Sequence, residues 1–441
     1  MVSLERLRST SVEHAIDAAA KPVWCGEVEN VSGVVVEATG VPAAVGELVR
    51  ISIGSERSIL AEVVGFRGTT TLLMPHDDTE GIAPQQKVTA LGRSFSVPVG
   101  PGLVGRVLDG LARPIDGGPT LSGGARGRRV KQPAPPPMSR PPIRTAMQTG
   151  VRAIDGFTTM GRGQRLGVFA GSGVGKSTLL GQIAAGTDAD VLVIALVGER
   201  GREVREFLDE TLDPATRGRA VTVVATSDRP PIERFLAPFT AITIAEAFRD
   251  EGKDVLLVMD SVTRFALASR EIGLAAGEPP TVRGFPPSFF ATLPKLVERL
   301  GSTESGSITG VLTVLLDGDD PNEPVADTLR GLLDGHLFLS RDLAHQGHFP
   351  AIDVLSSLSR LMPQLSSPEH IAAASKLRNL MAAWAEGKDL VEIGAYRAGT
   401  NPTLDKAIQL LPAINAFLRQ GTSEHSSTAE TLELLNLVAN S

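Results

Sequence analysis

The stretch from Arg165 to Thr178 constrains this chain more than any other. An apolar run, Arg165 to Ala170, leads directly into Gly171-Ser172-Gly173-Val174-Gly175-Lys176-Ser177-Thr178, and a helical pattern follows. Strand, glycine-rich loop and helix in that order form a phosphate-binding loop. Glycines at 171, 173 and 175 let backbone N–H groups curl around phosphate oxygens, with Ser172 and Val174 between them, and the helix N-terminus brings a positive dipole end to the same place. Lys176 then reaches the β and γ phosphates of a nucleoside triphosphate, and Ser177 offers its hydroxyl to Mg²⁺. Ala170 stands where the strict pattern has glycine, at a position still on the strand.

The surrounding sequence repeats the same logic. Strand-like runs at Arg165 to Ala170, Val191 to Val197, Ala220 to Ala225, Val255 to Met259, Ile308 to Leu316 and His336 to Leu339 alternate with helical patterns, which predicts a mostly parallel sheet covered by helices on both faces. Such sheets place ligands at the carboxyl ends of their strands. Asp260 ends one of these runs and is expected to hold Mg²⁺ through water. Glu199, in Val197-Gly198-Glu199-Arg200-Gly201-Arg202-Glu203, ends another and can polarise the water that attacks the γ phosphate. Hydrolysis also needs positive charge near that phosphate, often an arginine from an adjacent subunit. Arg341 and Arg360 both lie beyond the last strands, and local sequence does not choose between them.

The flanks differ in kind. Residues 26–95 carry short Val- and Ile-rich runs, Gly33 to Glu37, Leu48 to Ile53 and Leu60 to Phe66, broken by Gly and Pro, as in a small β-barrel. Before them, in residues 1–25, Leu4, Leu7, Val12 and Ile16 fall at helical spacing and predict an amphipathic helix. Residues 96–365 hold the nucleotide domain, with a Pro-rich connector at 111–144 whose basic run, Arg126 to Lys131, reads as a solvated loop. From 366 to 441 the pattern is helical without strands. The chain has 441 residues, a net charge of −7 and 4% aromatics, a balance unsuited to nucleic-acid binding. Cys25 is the only cysteine, which suits a reducing cytosol, and no run is long enough to span a membrane, so any membrane contact is expected to be peripheral.

Pro350-Ala351-Ile352-Asp353-Val354-Leu355-Ser356-Ser357-Leu358-Ser359-Arg360 resembles the signature of the rotary ATP synthase α/β family. Within it, Gly105-Arg106-Val107-Leu108-Asp109-Gly110, Gly284-Phe285-Pro286-Pro287-Ser288, Leu333-Asp334-Gly335-His336 and Ile393-Gly394-Ala395-Tyr396 are closer to the type III secretion and flagellar export ATPases. The resemblance implies an α/β RecA-like P-loop domain between a β-barrel and a helical C-terminal domain. It also implies an ATP hydrolase using Mg²⁺. By the same carry-over Lys176, Glu199 and Arg200 are catalytic, Arg360 is given across the interface, and Phe349 packs on adenine. Gly171 to Thr178 cradle the phosphates, Ser177, Asp260 and Glu203 serve the metal, and Arg264 lines the site.

The implied setting is a homohexamer in the cytoplasm, peripheral at the inner face of the membrane. Its implied partners are a stator-like regulator on the N-terminal helix, a stalk-like coiled coil, the export gate, and export substrates with their chaperones. A flagellar machine is preferred to an injectisome. A rotary subunit coupled to ion transport and a hexameric nucleic-acid motor are the alternatives. Glu323 and Asn401 depart from the usual Asp of the export enzymes, and Thr422 replaces the aromatic of synthase β subunits, which loosens adenine selectivity.

Overall fold

The computed structural model describes residues 24–54, 57–119, 121, 126–320 and 322–441, and the expected N-terminal helix lies outside them. The Val- and Ile-rich runs pair into a closed antiparallel barrel. Its strands are β1 (Cys25–Ser32), β2 (Val35–Thr39), β3 (Glu47–Ile53), β4 (Arg57–Arg67), β5 (Thr70–Pro75) and β6 (Lys87–Ser94), in the order β1-β2-β5-β4-β3-β6. Pairing of Cys25 with Thr89 closes the ring. Alternation sends Val28, Val36, Val49, Ile51, Val63, Leu73 and Val88 into one core, as half-buried strands require. This barrel, through Phe95, belongs with Ala275–Gly277 to one compact unit, and Ser96–Leu274 with Glu278–Ser441 form a second.

The second unit opens with β7 (Ser96–Val99), β8 (Val107–Asp109) and β9 (Arg126–Arg129). The basic run is therefore a strand rather than a solvated loop. β9 pairs with β7, and Arg128 reaches Asp250 at 2.8 Å and Glu246 at 3.5 Å, so charge pairing draws it onto the helix Pro231–Asp250. Two short strands, β10 (Ala146–Met147) and β11 (Met160–Gly161), precede the main sheet.

The main sheet is formed by β8 with β12 (Arg165–Ala170), β13 (Val191–Val197), β14 (Ala220–Ala225), β15 (Asp254–Asp260), β16 (Gly301–Ser302), β17 (Ser307–Leu315), β18 (Gly335–Leu339) and β19 (Ile352–Ser359). Its order is β19-β18-β12-β17-β15-β13-β14-β8, with β16 on β17. Only the β18–β19 and β16–β17 pairs are antiparallel. Every residue of β13 and β14 is buried, which is why these strands read as unbroken apolar runs.

One face of this sheet, through Leu166, Val168, Leu192, Ile194 and Leu256, shares a core with the helix Lys176–Gly186. The same core takes in Leu377, Leu404, Ile414, Phe417 and Leu435 from three C-terminal helices, Pro368–Glu392, Pro402–Leu418 and Thr428–Asn440. Each begins on a side-chain cap, from Ser367, Asn401 and Ser427. Asn401 accepts bonds from Thr403 and Leu404 N–H, so it fills the capping role that an Asp would. Glu323 stands at the start of the helix Pro324–Leu332 without capping it, and burial raises its carboxyl above the usual range.

Candidate active site

β12 ends at Ala170 and the next helix starts at Lys176, so the glycine loop is the turn between them. Gly173 and Gly175 have φ of 78° and 91°, the left-handed region that the loop needs and that side chains resist. A Cβ at Gly175 would meet the Phe349 ring at 3.5 Å, which puts that aromatic beside the loop. The ring is 45% exposed, so one face is open to a ligand.

Three strands deliver the chemistry. Lys176 pairs with Asp260, at the end of β15, and lies 3.9 Å from Glu199, just beyond β13. Asp260 is buried and also accepts a 2.8 Å bond from Thr313 Oγ1 on β17. Gly198, at φ 70°, turns the chain out of β13, and a Cβ there would collide with the Arg264 side chain at 2.7 Å. That packing sets Arg264 behind the Glu199 turn, with its own side chain exposed. Burial pushes the Glu199 carboxyl up to about 7, and the negative charges of Asp260 and Glu203 add to this while Lys176 opposes it.

Ser177, Glu199, Glu203 and Asp260 line one cavity of about 140 Å³. Among the described residues no three His, Cys, Asp or Glu side chains converge as a metal cage. A hydroxyl and carboxylates around a phosphate loop are nonetheless hard oxygen donors of the kind Mg²⁺ takes, since it keeps waters and phosphate oxygens as its other ligands. The set fits magnesium. Arg200 is directed elsewhere: its side chain is 78% exposed and bonds Glu203 at 3.3 Å.

The structure separates the two arginines that local sequence left equal. Arg341 Nη1 donates to Ser172 O at 3.1 Å, so it belongs to its own phosphate loop. Arg360 follows Ser359, which pairs with Gly335 at the start of β18, whereas Ile352 pairs with Leu339 at the loop end. β18 spans these ends in four residue steps, roughly 13 Å, because β19 bulges between Leu358 and Asp353. Arg360 is exposed at the edge of the sheet opposite its own phosphate loop.

Thr313 and Gln420 are site residues that sequence reasoning missed. A threonine within the apolar run Ile308 to Leu316 was the available signal, since a hydroxyl in a doubly buried strand needs a partner. Gln420 carries no such mark. Its N–H donates to Phe349 O at 2.9 Å, and Gln182, on the phosphate-loop helix, donates to Gly421 O at 2.8 Å. Thr422 joins Thr178 and Gln182 in lining a cavity of about 810 Å³.

Comparison with known proteins identifies the same three parts. Residues 150–359 match the ATP synthase alpha/beta family nucleotide-binding domain, residues 28–92 its beta-barrel domain, and residues 366–436 the T3SS EscN ATPase C-terminal domain. The flagellum-specific ATP synthase of Bacillus subtilis (strain 168) is 51% identical, covering 93% of this chain and 94% of that protein. The type 3 secretion system ATPase of Xanthomonas euvesicatoria is 48% identical, covering 99% of each. Among solved structures, the assembled ATPase EscN of the enteropathogenic E. coli type III secretion system superposes with a TM-score of 0.90 at 45% identity, over 94% of this chain and 100% of that one. EscN in complex with its central stalk EscO gives a TM-score of 0.87, with the same identity and coverage.

Proposed function

This chain belongs to the ATP synthase alpha/beta family, in the branch of flagellum-specific and type 3 secretion ATPases, and from that membership we propose that it hydrolyses Mg-ATP in a homohexameric ring to energise type III protein export, in the flagellar machine. One observation carries the reading. Lys176 opens the helix after β12, Glu199 follows β13 and Asp260 ends β15, so the three meet at one carboxyl edge beside the phosphate loop.

Each group then has a task. The loop N–H groups and Lys176 hold the β and γ phosphates of ATP. Ser177, Asp260 and Glu203 would hold magnesium, whose positive charge would offset that of the phosphates. Glu199 orients the attacking water and takes its hydrogen bond, and a carboxyl pushed up to about 7 suits proton acceptance near neutrality. Thr313 keeps the Asp260 carboxylate aimed at the site.

Arg360 cannot serve its own site from the opposite sheet edge, so its guanidinium serves the neighbouring copy, where it offsets charge on the γ phosphate. Phe349 packs on one face of the base. The opposite wall, at Thr422, offers hydroxyls rather than a second ring, so adenine selectivity is loose. Arg200 is the second member of the catalytic Glu-Arg pair that the resemblance implies, and it is held on the surface by Glu203.

Partners follow from the branch. A stalk-like coiled coil binds the ring; the similar assembled EscN is in complex with its central stalk EscO. A stator-like regulator takes the N-terminal segment, and chaperoned export substrates pass to an export gate. Among the described residues no helix is long and apolar enough to cross a membrane. From the export branch the ring is assigned to the cytoplasmic face of the membrane, as a peripheral assembly.

The test has a biochemical and a cellular arm. Steady-state ATPase activity per chain rises steeply with chain concentration if copies complete each other's sites, and a flat profile removes the ring. A strain lacking this chain exports no filament protein and recovers with the wild type but not with Lys176→Ala. Normal filaments without the chain would remove the flagellar assignment.

A further inference from the structure

Gln420 lies just past the helix Pro402–Leu418 and is only 4% exposed, yet every polar end of it is engaged. Oε1 accepts from Arg152 N–H at 2.9 Å, while Nε2 donates to Gly150 O and to Glu424 O, both at 2.7 Å. The Arg152 bond is unusual in kind. It satisfies the first N–H of the helix Arg152–Phe157, whose own N-cap residue Val151 provides no side-chain acceptor.

Arg152 is itself buried and clasps the same segment, donating to Phe417 O at 2.8 Å and Ser426 Oγ at 3.2 Å and pairing with Glu424. A stretch of about eight residues is thereby tied to the nucleotide domain by paired polar groups, of which Arg152, Gln420 and Ser426 are buried while Glu424 is exposed. Its backbone makes two contacts with the nucleotide machinery, Gln420 N–H to Phe349 O and Gly421 O from Gln182.

We propose that Gln420 is a positioning residue for nucleotide binding: its side-chain amide fixes the backbone that holds Phe349 against the phosphate loop, and so ties the seat of the base to the C-terminal helices. This rests on the reading of Phe349 as the base-packing ring. Removing the amide lets the 419–426 segment shift, and Phe349 loses its backbone anchor. The phosphate end, built from Lys176, Glu199 and Asp260, keeps its geometry. Weaker nucleotide binding with unchanged turnover is the signature, because a general loss of structure lowers both.

The experiment measures KM and kcat for Mg-ATP with the full-length chain as wild type, Gln420→Ala, Phe349→Ala and the double variant. Gln420→Ala is expected to raise KM about tenfold, the scale of one or two lost hydrogen bonds, with kcat within about twofold. The double variant is expected to match Phe349→Ala alone. Phe349→Ala with an unchanged KM overturns the base-packing reading itself. A raised KM for Phe349→Ala beside an unchanged KM for Gln420→Ala, or equal losses of kcat and kcat/KM in Gln420→Ala, overturns the positioning role only. Should Gln420→Ala not fold, Gln420→Met fills the same space without the acceptor or either donor, and is judged by the same criteria.

Discussion

Thr313 Oγ1 donates to Asp260 Oδ1 at 2.8 Å, and Lys176 meets the same oxygen. The hydroxyl belongs to β17 and the carboxylate to β15, neighbours in register through Met259 and Leu312. A carboxylate with both partners keeps one orientation, which a metal-binding group needs.

Thr313→Val removes that hydroxyl at almost constant shape. The loss of one hydrogen bond to a charged group, about 1.5–3 kcal/mol, should raise the Mg²⁺ concentration for half-maximal ATPase activity about tenfold or more. Titration of Mg²⁺ at saturating ATP checks this. An unchanged midpoint would show that Thr313 only fills space.

Glu199→Gln keeps size and hydrogen bonding but cannot accept a proton. Nucleotide affinity should hold within a few-fold while hydrolysis falls about 10²–10⁴-fold. Equilibrium binding of ATP beside single-turnover hydrolysis separates the two effects. Full activity of the variant would remove Glu199 from the water-activating role.

Arg360→Ala alone should be inactive, with folding and ATP binding intact. Mixed one to one with Lys176→Ala, it should recover a fraction of wild-type activity, since one variant supplies the arginine and the other an intact phosphate loop. Recovery measured against the unmixed proteins decides the matter. Arg360→Ala with wild-type activity would end the shared-site reading.

His370 is buried, and its Nε2 sits 2.8 Å from Gly156 O, where the ring N–H donates. Burial lowers its pKa, as it does for His336 and His348. The unfolded chain therefore takes protons first as pH falls below the ordinary histidine value of about 6.5. Stability should drop below that pH and level off above it, with one such histidine contributing at most about 1.4 kcal/mol per pH unit. His370→Gln keeps a donor for Gly156 O without titrating, and should flatten the slope below about pH 6.5 in denaturant melts. An unaltered slope would show that His370 does not contribute to it.

The parts readable from the sequence are those that contiguous residues make. Gly171 to Thr178 needs only its own backbone and the two elements it joins, so loop, lysine and hydroxyl were legible together. Unbroken apolar runs announced doubly buried strands, and Asp260 and Glu199 stood at their ends. What could not be read there was set by register and packing. β9 is a strand because its backbone pairs with β7, and Arg128 is held by Asp250 and Glu246, more than a hundred residues away. Arg341 and Arg360 have the same local chemistry, and only the antiparallel pairing of β18 with β19 sends one to its own phosphate loop and the other to the far sheet edge. Thr313 and Gln420 acquire their roles the same way, since a hydrogen bond between distant residues depends on how sheet and helices bring them together, and neither partner's sequence neighbours encode it.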